Sequence, residues 1–314
     1  MNKAVAVIGP TASGKTALSL ALAARLGAEI IVCDSMQIYR GMDIGTAKPT
    51  PEETAVCPHH LVDFVDPDTP FSASDYADAA MAAVRDITAR GKVPLFCGGT
   101  GLYLDAVRTG RHTAATPPPD PALRAALQAQ AETEEGRLAL YRRLSDIDPD
   151  AAAATHPNNV HRVVRALEMY LTTGKTKTTL DREAPTENPD LSLYIVEPVF
   201  RDRAALYARI DARVDAMMAA GLVGETERLR RAGVFTKNAT AAAAIGYKEL
   251  LPYLNGACTK EAAVGALKQA TRRYAKRQMT YFRRIPGVVT VEADGRTPGE
   301  MAEQLLPGIL SFLA

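Results

Sequence analysis

Cysteine is scarce in this chain: four residues in 314, Cys33, Cys57, Cys97 and Cys258, widely spaced and without a C-x-x-C pair. That pattern excludes a disulfide-stapled scaffold and predicts buried free thiols in a reducing cytoplasm. The adjacent His59-His60 pair has no second ligand pair at zinc-like spacing, so a local structural role is expected of it. No apolar run reaches the roughly 18 to 20 residues a membrane span requires, so no membrane partner is expected. Met1-Asn2-Lys3 leads straight into Ala4-Val5-Ala6-Val7-Ile8-Gly9, too short a lead for a signal peptide. Internal repeats and low-complexity tracts are absent. So is net charge: 37 Lys and Arg against 36 Asp and Glu leave +1. Taken as a total, that balance argues against a nucleic-acid partner.

What is present is an ordinary globular composition, 47% hydrophobic and 23% charged, long enough for about two domains. Ala4 to Ile8 is a continuous apolar run ending in Gly-Pro, as expected of a strand buried in a parallel sheet. Helix formers from Ala17 to Leu26 stop at Gly27, and Glu29 to Cys33 reads as a second strand. A helix over Phe71–Arg90 and strands at Val93–Cys97 and Leu193–Val199 continue the alternation. The fold class is therefore α/β, a P-loop core with a parallel sheet, plus a helical insertion and a helical C-terminal region. The core is expected to comprise residues 1–112 and 190–314, and the insertion residues 113–189. The insertion opens on a stiff proline-rich linker, Thr116 to Pro121. Helices are expected over Leu123–Leu144 and Asn159–Leu171, then a polar loop from Thr172 to Pro189. From Asp202 onward the chain reads as helical almost to its end.

Gly9-Pro10-Thr11-Ala12-Ser13-Gly14-Lys15-Thr16 fits G-x-x-x-x-G-K-[ST] between a strand and a helix, as a phosphate-binding loop requires. Its glycines let successive N–H groups turn onto phosphate oxygens at a helix N-terminus. Lys15 would neutralise terminal phosphate charge, and the Thr16 hydroxyl would ligate Mg²⁺. Asp34 closes the second strand at the carboxyl edge of the sheet, where α/β proteins bind ligands. Three roles are open to it: a turn-forming cap, a binder of a kinase's acceptor substrate, or a general base, ionised at pH 7 without tuning. Gly98-Gly99-Thr100-Gly101 would place a third loop over the same pocket.

The charge is unevenly distributed. From Asp43 to Asp86, nine acidic residues face two basic ones. From Lys268 to Arg284 there are seven basic residues and no acidic one. On a helix, Lys268, Arg272 and Lys276 share one face, and such repulsion asks for a compensating partner, which a phosphate backbone would supply. Tyr274, Tyr281 and Phe282 interleave with the cations, which suits stacking on unpaired bases. His161, Arg162 and Arg165 form a smaller basic cluster in the insertion. Two basic surfaces suggest a groove for a long anion.

Over nearly its whole length the chain resembles the bacterial tRNA dimethylallyltransferase (tRNA isopentenyltransferase) family. The resemblance rests on Gly9–Thr16 and on the long, specific run from Asp34-Ser35-Met36-Gln37 to Pro49. His59–Asp63, Gly98–Tyr103, Arg165–Glu168, Arg209–Met217, Ile245–Glu249 and Ala275–Gln278 fit as well. Ala241 and Ala243 stand where Met and Arg are expected, His161 replaces a usual Gln, and Tyr281 a common Trp. The resemblance implies transfer of a dimethylallyl group from its diphosphate to N6 of adenosine 37, 3′ to the tRNA anticodon. It implies diphosphate held by residues 9–16, Asp34 as general base, and Lys15 and Arg213 stabilising the leaving group with Mg²⁺ at Thr16. By the same carry-over Gln37 reads or replaces the base and Thr100 lines the same edge. Ser35, Met36, Lys248, Arg272, Lys276 and Arg277, with His161, Arg162 and Arg165, are the further tRNA-contact candidates. The target adenine must leave its stack to be reached. A monomer is expected. A prenyltransferase acting on free AMP, a small-molecule kinase and a non-catalytic RNA-binding NTPase module are the rivals.

Overall fold

A computed structural model describes residues 1–110 and 120–314. The expected linker from Thr116 therefore lies, through Pro119, outside the described residues. Six strands, β1 (Asn2–Ile8), β2 (Ala28–Val32), β3 (His59–His60), β4 (Val93–Gly98), β5 (Leu191–Val199) and β6 (Val289–Glu292), form one sheet. Their order is β3-β2-β4-β1-β5-β6, and every pairing is parallel. β1 is central, with Val7 opposite both Cys97 and Val196. Its residues Ala4–Val7 are completely buried because helices cover both faces, which is why the strand reads as an unbroken apolar run. Tyr76, Ala80 and Val84 of the helix Ala73–Ala89 pack on one face. Leu18 and Leu22 of Lys15–Leu26, with Met301, Leu305 and Ile309 of Pro298–Leu313, pack on the other.

Two strands were not expected: one in a tail read as helical almost to its end, and one at the His59-His60 pair, for which a local structural role was expected. β6 interrupts the C-terminal helices with four residues beside β5. β3 has only two residues, too short for a periodicity to register, and pairs with Ile30 and Ile31. His60 Nε2 lies 2.7 Å from Glu29, and His59 Nδ1 lies 2.9 Å from the Cys57 carbonyl. All four cysteines are free; Cys33, Cys57 and Cys97 are buried, whereas Cys258 is only half-buried.

The chain divides into two compact units, residues 1–108 with 189–314, and residues 109–188. In the second unit the helix formers of 123–144 make two helices, Pro121–Gln130 and Glu134–Ile147, because Thr133 caps a fresh start by accepting from Gly136 N. The segment expected to be a polar loop contains the helix Lys177–Glu183, capped by Thr176. Leu127, Leu140, Leu144, Val163, Val164 and Leu167 form this unit's core. Beside them the fully buried Glu168 accepts from Asp120 N, from the Arg124 guanidinium and from Arg165. No helix among the described residues is long and apolar enough to cross a membrane.

On the sheet of the first unit, Glu29 is held by Arg90 and His60. The Arg90 hydrogen bonds bring its carboxyl down to about 2. Its contribution to stability is therefore complete above the unfolded carboxyl's value and is lost as pH falls toward about 2. Thermal unfolding of the native chain and of Glu29→Gln should differ most above about pH 5 and converge near the bottom of that window. A difference independent of pH would contradict this.

Candidate active site

The loop between β1 and the helix Lys15–Leu26 is bent by positive φ at Gly9 (150°), Ala12 (63°) and Gly14 (86°). Ser13 N bonds back to Pro10 O at 3.2 Å, and Lys15 Nζ donates to the same carbonyl. Two distant helices brace the loop. Arg209, from Arg203–Ala219, donates Nε to Ala12 O at 3.0 Å. Gln278, from Lys260–Phe282, accepts from Thr11 N through Oε1 and donates Nε2 to Gly99 O, both at 2.9 Å. Gln278 thus ties the phosphate loop to the end of β4. Only glycine serves at Gly98, where a Cβ would lie 1.9 Å from the Cys33 carbonyl oxygen.

These strand ends open into a cavity of about 290 Å³. Ten expected residues share it: Thr11, Lys15, Thr16, Asp34, Ser35, Met36, Gln37, Arg213, Lys248 and Arg277. Gly9, Pro10, Ala12, Ser13 and Gly14 shape the loop behind it. Thr100 sits at its edge, where Oγ1 accepts from Ser35 N at 3.0 Å. An apolar wall from Val214, Met217, Ala243, Ala244, Ile245 and Leu267 completes the lining.

Asp34 fills the first of the roles left open for it, that of a turn-forming cap. Oδ1 caps a turn by accepting from Met36 N at 2.9 Å and Gln37 N at 3.4 Å, while Oδ2 has no hydrogen-bond partner among the described residues. Burial raises its pKa above the ordinary carboxylate value, against the pull of those N–H groups, Lys15 and Arg213. The expectation of an untuned aspartate is therefore corrected. Burial lowers the pKa values of Lys15 and Arg213; Arg213 adds to the effect on Lys15, and Asp34 opposes both. Two cations thus face one carboxylate, an arrangement suited to an anion. Gln37 donates Nε2 to Thr46 O at 3.0 Å and Ala47 O at 2.9 Å, so its Oε1 remains as the acceptor.

The basic stripe differs from expectation. Lys268 and Arg272 pair with Asp215 and Asp211 of the neighbouring helix, so carboxylates within the chain already compensate two of its three cations. Lys276 and Arg277 are exposed. Phe282 belongs to the core, and the half-buried Tyr281 donates to Asp105, which leaves only Tyr274 lining the cavity. In the helical unit His161 and Arg162 are exposed, whereas Arg165 is half-buried against Glu168 at 2.9 Å. Arg165 is thus a structural partner there, which its place in a surface-like cluster concealed. The roles of Gln278 and Glu225 were also missed. Gln278 lay within a matched motif, but nothing local marks Glu225, whose three backbone donors come from residues about 180 positions away.

A model of the IPP transferase family matches residues 37–285. The chain is 49% identical over 290 residues to the tRNA dimethylallyltransferase of Roseiflexus sp. (strain RS-1), covering 92% of this chain and 93% of that protein. It is 46% identical over 292 residues to the Geobacter sulfurreducens tRNA dimethylallyltransferase, covering 93% and 92%. The crystal structure of full-length tRNA isopentenylpyrophosphate transferase from Bacillus halodurans is similar with a TM-score of 0.73 at 41% identity, covering 100% of this chain and 97% of that one. A eukaryotic dimethylallyltransferase acting on tRNA is similar with a TM-score of 0.83 at 28% identity, covering 99% and 80%.

The cation excess predicts that inorganic diphosphate binds and that Lys15→Ala weakens it about tenfold or more, the size of a lost charge-assisted hydrogen bond. Isothermal calorimetry on both proteins reads this. Equal affinities would remove Lys15 from the anion site.

Proposed function

The chain belongs to the IPP transferase family, and we propose that it transfers a dimethylallyl group from dimethylallyl diphosphate to N6 of adenosine 37 of tRNA, releasing diphosphate. One observation carries this reading. A single cavity joins the phosphate loop, Arg213 and a carboxylate of raised pKa to an apolar wall. Diphosphate suits Lys15, Arg213 and the backbone of Gly9–Thr16, and a five-carbon tail suits the wall of Val214, Met217, Ile245 and Leu267.

The adenine amine is a poor nucleophile because its lone pair is delocalised into the ring. Asp34 accepts a proton from N6 as N6 bonds to C1 of the donor and the C1–O bond breaks. Lys15 and Arg213 meet the charge that develops on the departing diphosphate. Lys15 would supply a point cation and Arg213 a planar fork. The Thr16 hydroxyl fits Mg²⁺ only as one ligand among diphosphate oxygens and waters, the manner in which that ion is usually held, since the described residues contain no cluster of three His, Cys, Asp or Glu ligands. When bound there, Mg²⁺ would add to the neutralisation of the leaving group. Gln37 Oε1 is an acceptor suited to the N6–H of adenine, with Ser35, Met36 and Thr100 at the same edge.

The anticodon stem-loop is the part of tRNA we assign to the protein. Lys248, Lys276 and Arg277 of the first unit and His161 and Arg162 of the second are the phosphate contacts this reading favours; Arg165 and Arg272 act through their carboxylate partners. The enzyme would work as a cytoplasmic monomer.

Labelled dimethylallyl diphosphate offered with AMP or with an anticodon stem-loop should label the stem-loop alone; label on AMP alone overturns the tRNA reading. Asp34→Ala should abolish transfer and retain tRNA binding, and lost binding would make Asp34 a recognition residue instead. Because its pKa is raised, the base form disappears as pH falls through a value above the ordinary aspartate pKa of about 3.9. The acid limb of the kcat/KM profile should lie above that value. A limb at the ordinary value would exclude Asp34 as the base.

A further inference from the structure

Residues 43–47 form part of the cavity wall through Gly45 and Thr46. The segment is sharply turned, with Ala47 N bonded to Ile44 O at 3.0 Å and Ala47 at a φ of 49°. Its last two carbonyls, Thr46 O and Ala47 O, engage both N–H groups of Gln37 and so fix which end of that amide remains to accept. Whatever sets the turn also sets Gln37.

The turn is set from another element. Glu225, buried on the helix Leu222–Arg231, accepts at Oε2 from Asp43 N (3.1 Å) and Ile44 N (2.9 Å). At Oε1 it accepts from Gly45 N (3.0 Å) and from Tyr247 Oη (2.7 Å). Three consecutive peptide N–H groups thus converge on one carboxylate, and the nearest cation, Arg228, stands 3.9 Å away. Such an arrangement tolerates neither loss of an acceptor nor a slipped register, since every lone pair faces a donor. Gly45 fits closely against the same group: a Cβ there would lie 2.5 Å from the Tyr247 ring. Lys48, bonded to Asp43 and Asp63, fastens the far end of the segment.

We propose that Glu225 is a positioning residue for base recognition: by fixing residues 43–45 it holds the Thr46 and Ala47 carbonyls that orient Gln37. It lines no part of the cavity itself. The inference rests on the proposed function, in which Gln37 faces the target adenosine.

A double-mutant cycle on the full chain tests it, with Glu225→Gln, Tyr247→Phe, Gln37→Ala and the corresponding doubles, each checked by thermal unfolding. Glu225→Gln turns one acceptor into a donor that faces N–H groups. It should raise the KM for the stem-loop about tenfold, as expected for a misdirected buried hydrogen bond, and leave the KM for dimethylallyl diphosphate unchanged. Tyr247→Phe should act in the same direction and less. In the Gln37→Ala background both effects should shrink below about twofold, because the group they position is gone. A stem-loop KM unchanged in active Glu225→Gln, a parallel rise in both KM values, or an effect that persists without Gln37 would overturn the inference alone. If Glu225→Gln does not fold, Tyr247→Phe decides the cycle by the same criteria. Absence of transfer by the unaltered chain would overturn the proposed function and this inference with it.

Discussion

Charge is enclosed where the sheet ends. Lys15 and Arg213 share a cavity with the carboxylate of Asp34, and burial acts against the charged form of all three. Enclosed charges persist only when they are paired or hydrogen-bonded, so the loops that carry them must be held firmly. That constraint accounts for the surrounding braces. Gln278 clamps the phosphate loop to β4, Arg209 seizes Ala12, and two backbone N–H groups cap Asp34. It also accounts for the chemistry. An anion relieves the excess of cations, and the same burial that strains Asp34 makes it a stronger base than an exposed aspartate.

The parts of this site that lie in one continuous stretch were legible before the fold was known. The phosphate loop, the strand ahead of it and the Asp34–Gln37 turn are each a few residues long, and their residue types are tied to backbone geometry. Parallel strands buried on both faces also announce themselves, as Ala4–Ile8 did. What escaped was of two kinds. β3 and β6 have two and four residues at the sheet's edges and show no period of their own. Glu225, Gln278 and Glu168 act through partners remote in sequence, and a glutamate in a helix looks the same whether solvated or enclosed.

The cations illustrate a second limit. Summed over the chain they vanish, and grouped by segment they look like an open nucleic-acid surface. In the fold, Lys268, Arg272 and Arg165 are paired with carboxylates, while Lys276, Arg277, His161 and Arg162 are exposed. Spacing identifies which side chains share a helix face, but not what the neighbouring helix offers them. Aspartates at 211 and 215 lie one turn apart on that neighbour, matching Arg272 and Lys268 one turn apart on the basic helix.

We propose that Asp34, Lys15 and Arg213 form one electrostatic unit to which diphosphate binds. Carbon-13 NMR titration of labelled aspartates, with Asp34 assigned by Asp34→Asn, tests it most directly. In the free protein Asp34 should titrate above the ordinary aspartate range, and bound diphosphate should move it further upward by adding negative charge beside it. An Asp34 that titrates normally, or that does not respond to diphosphate, would contradict the account.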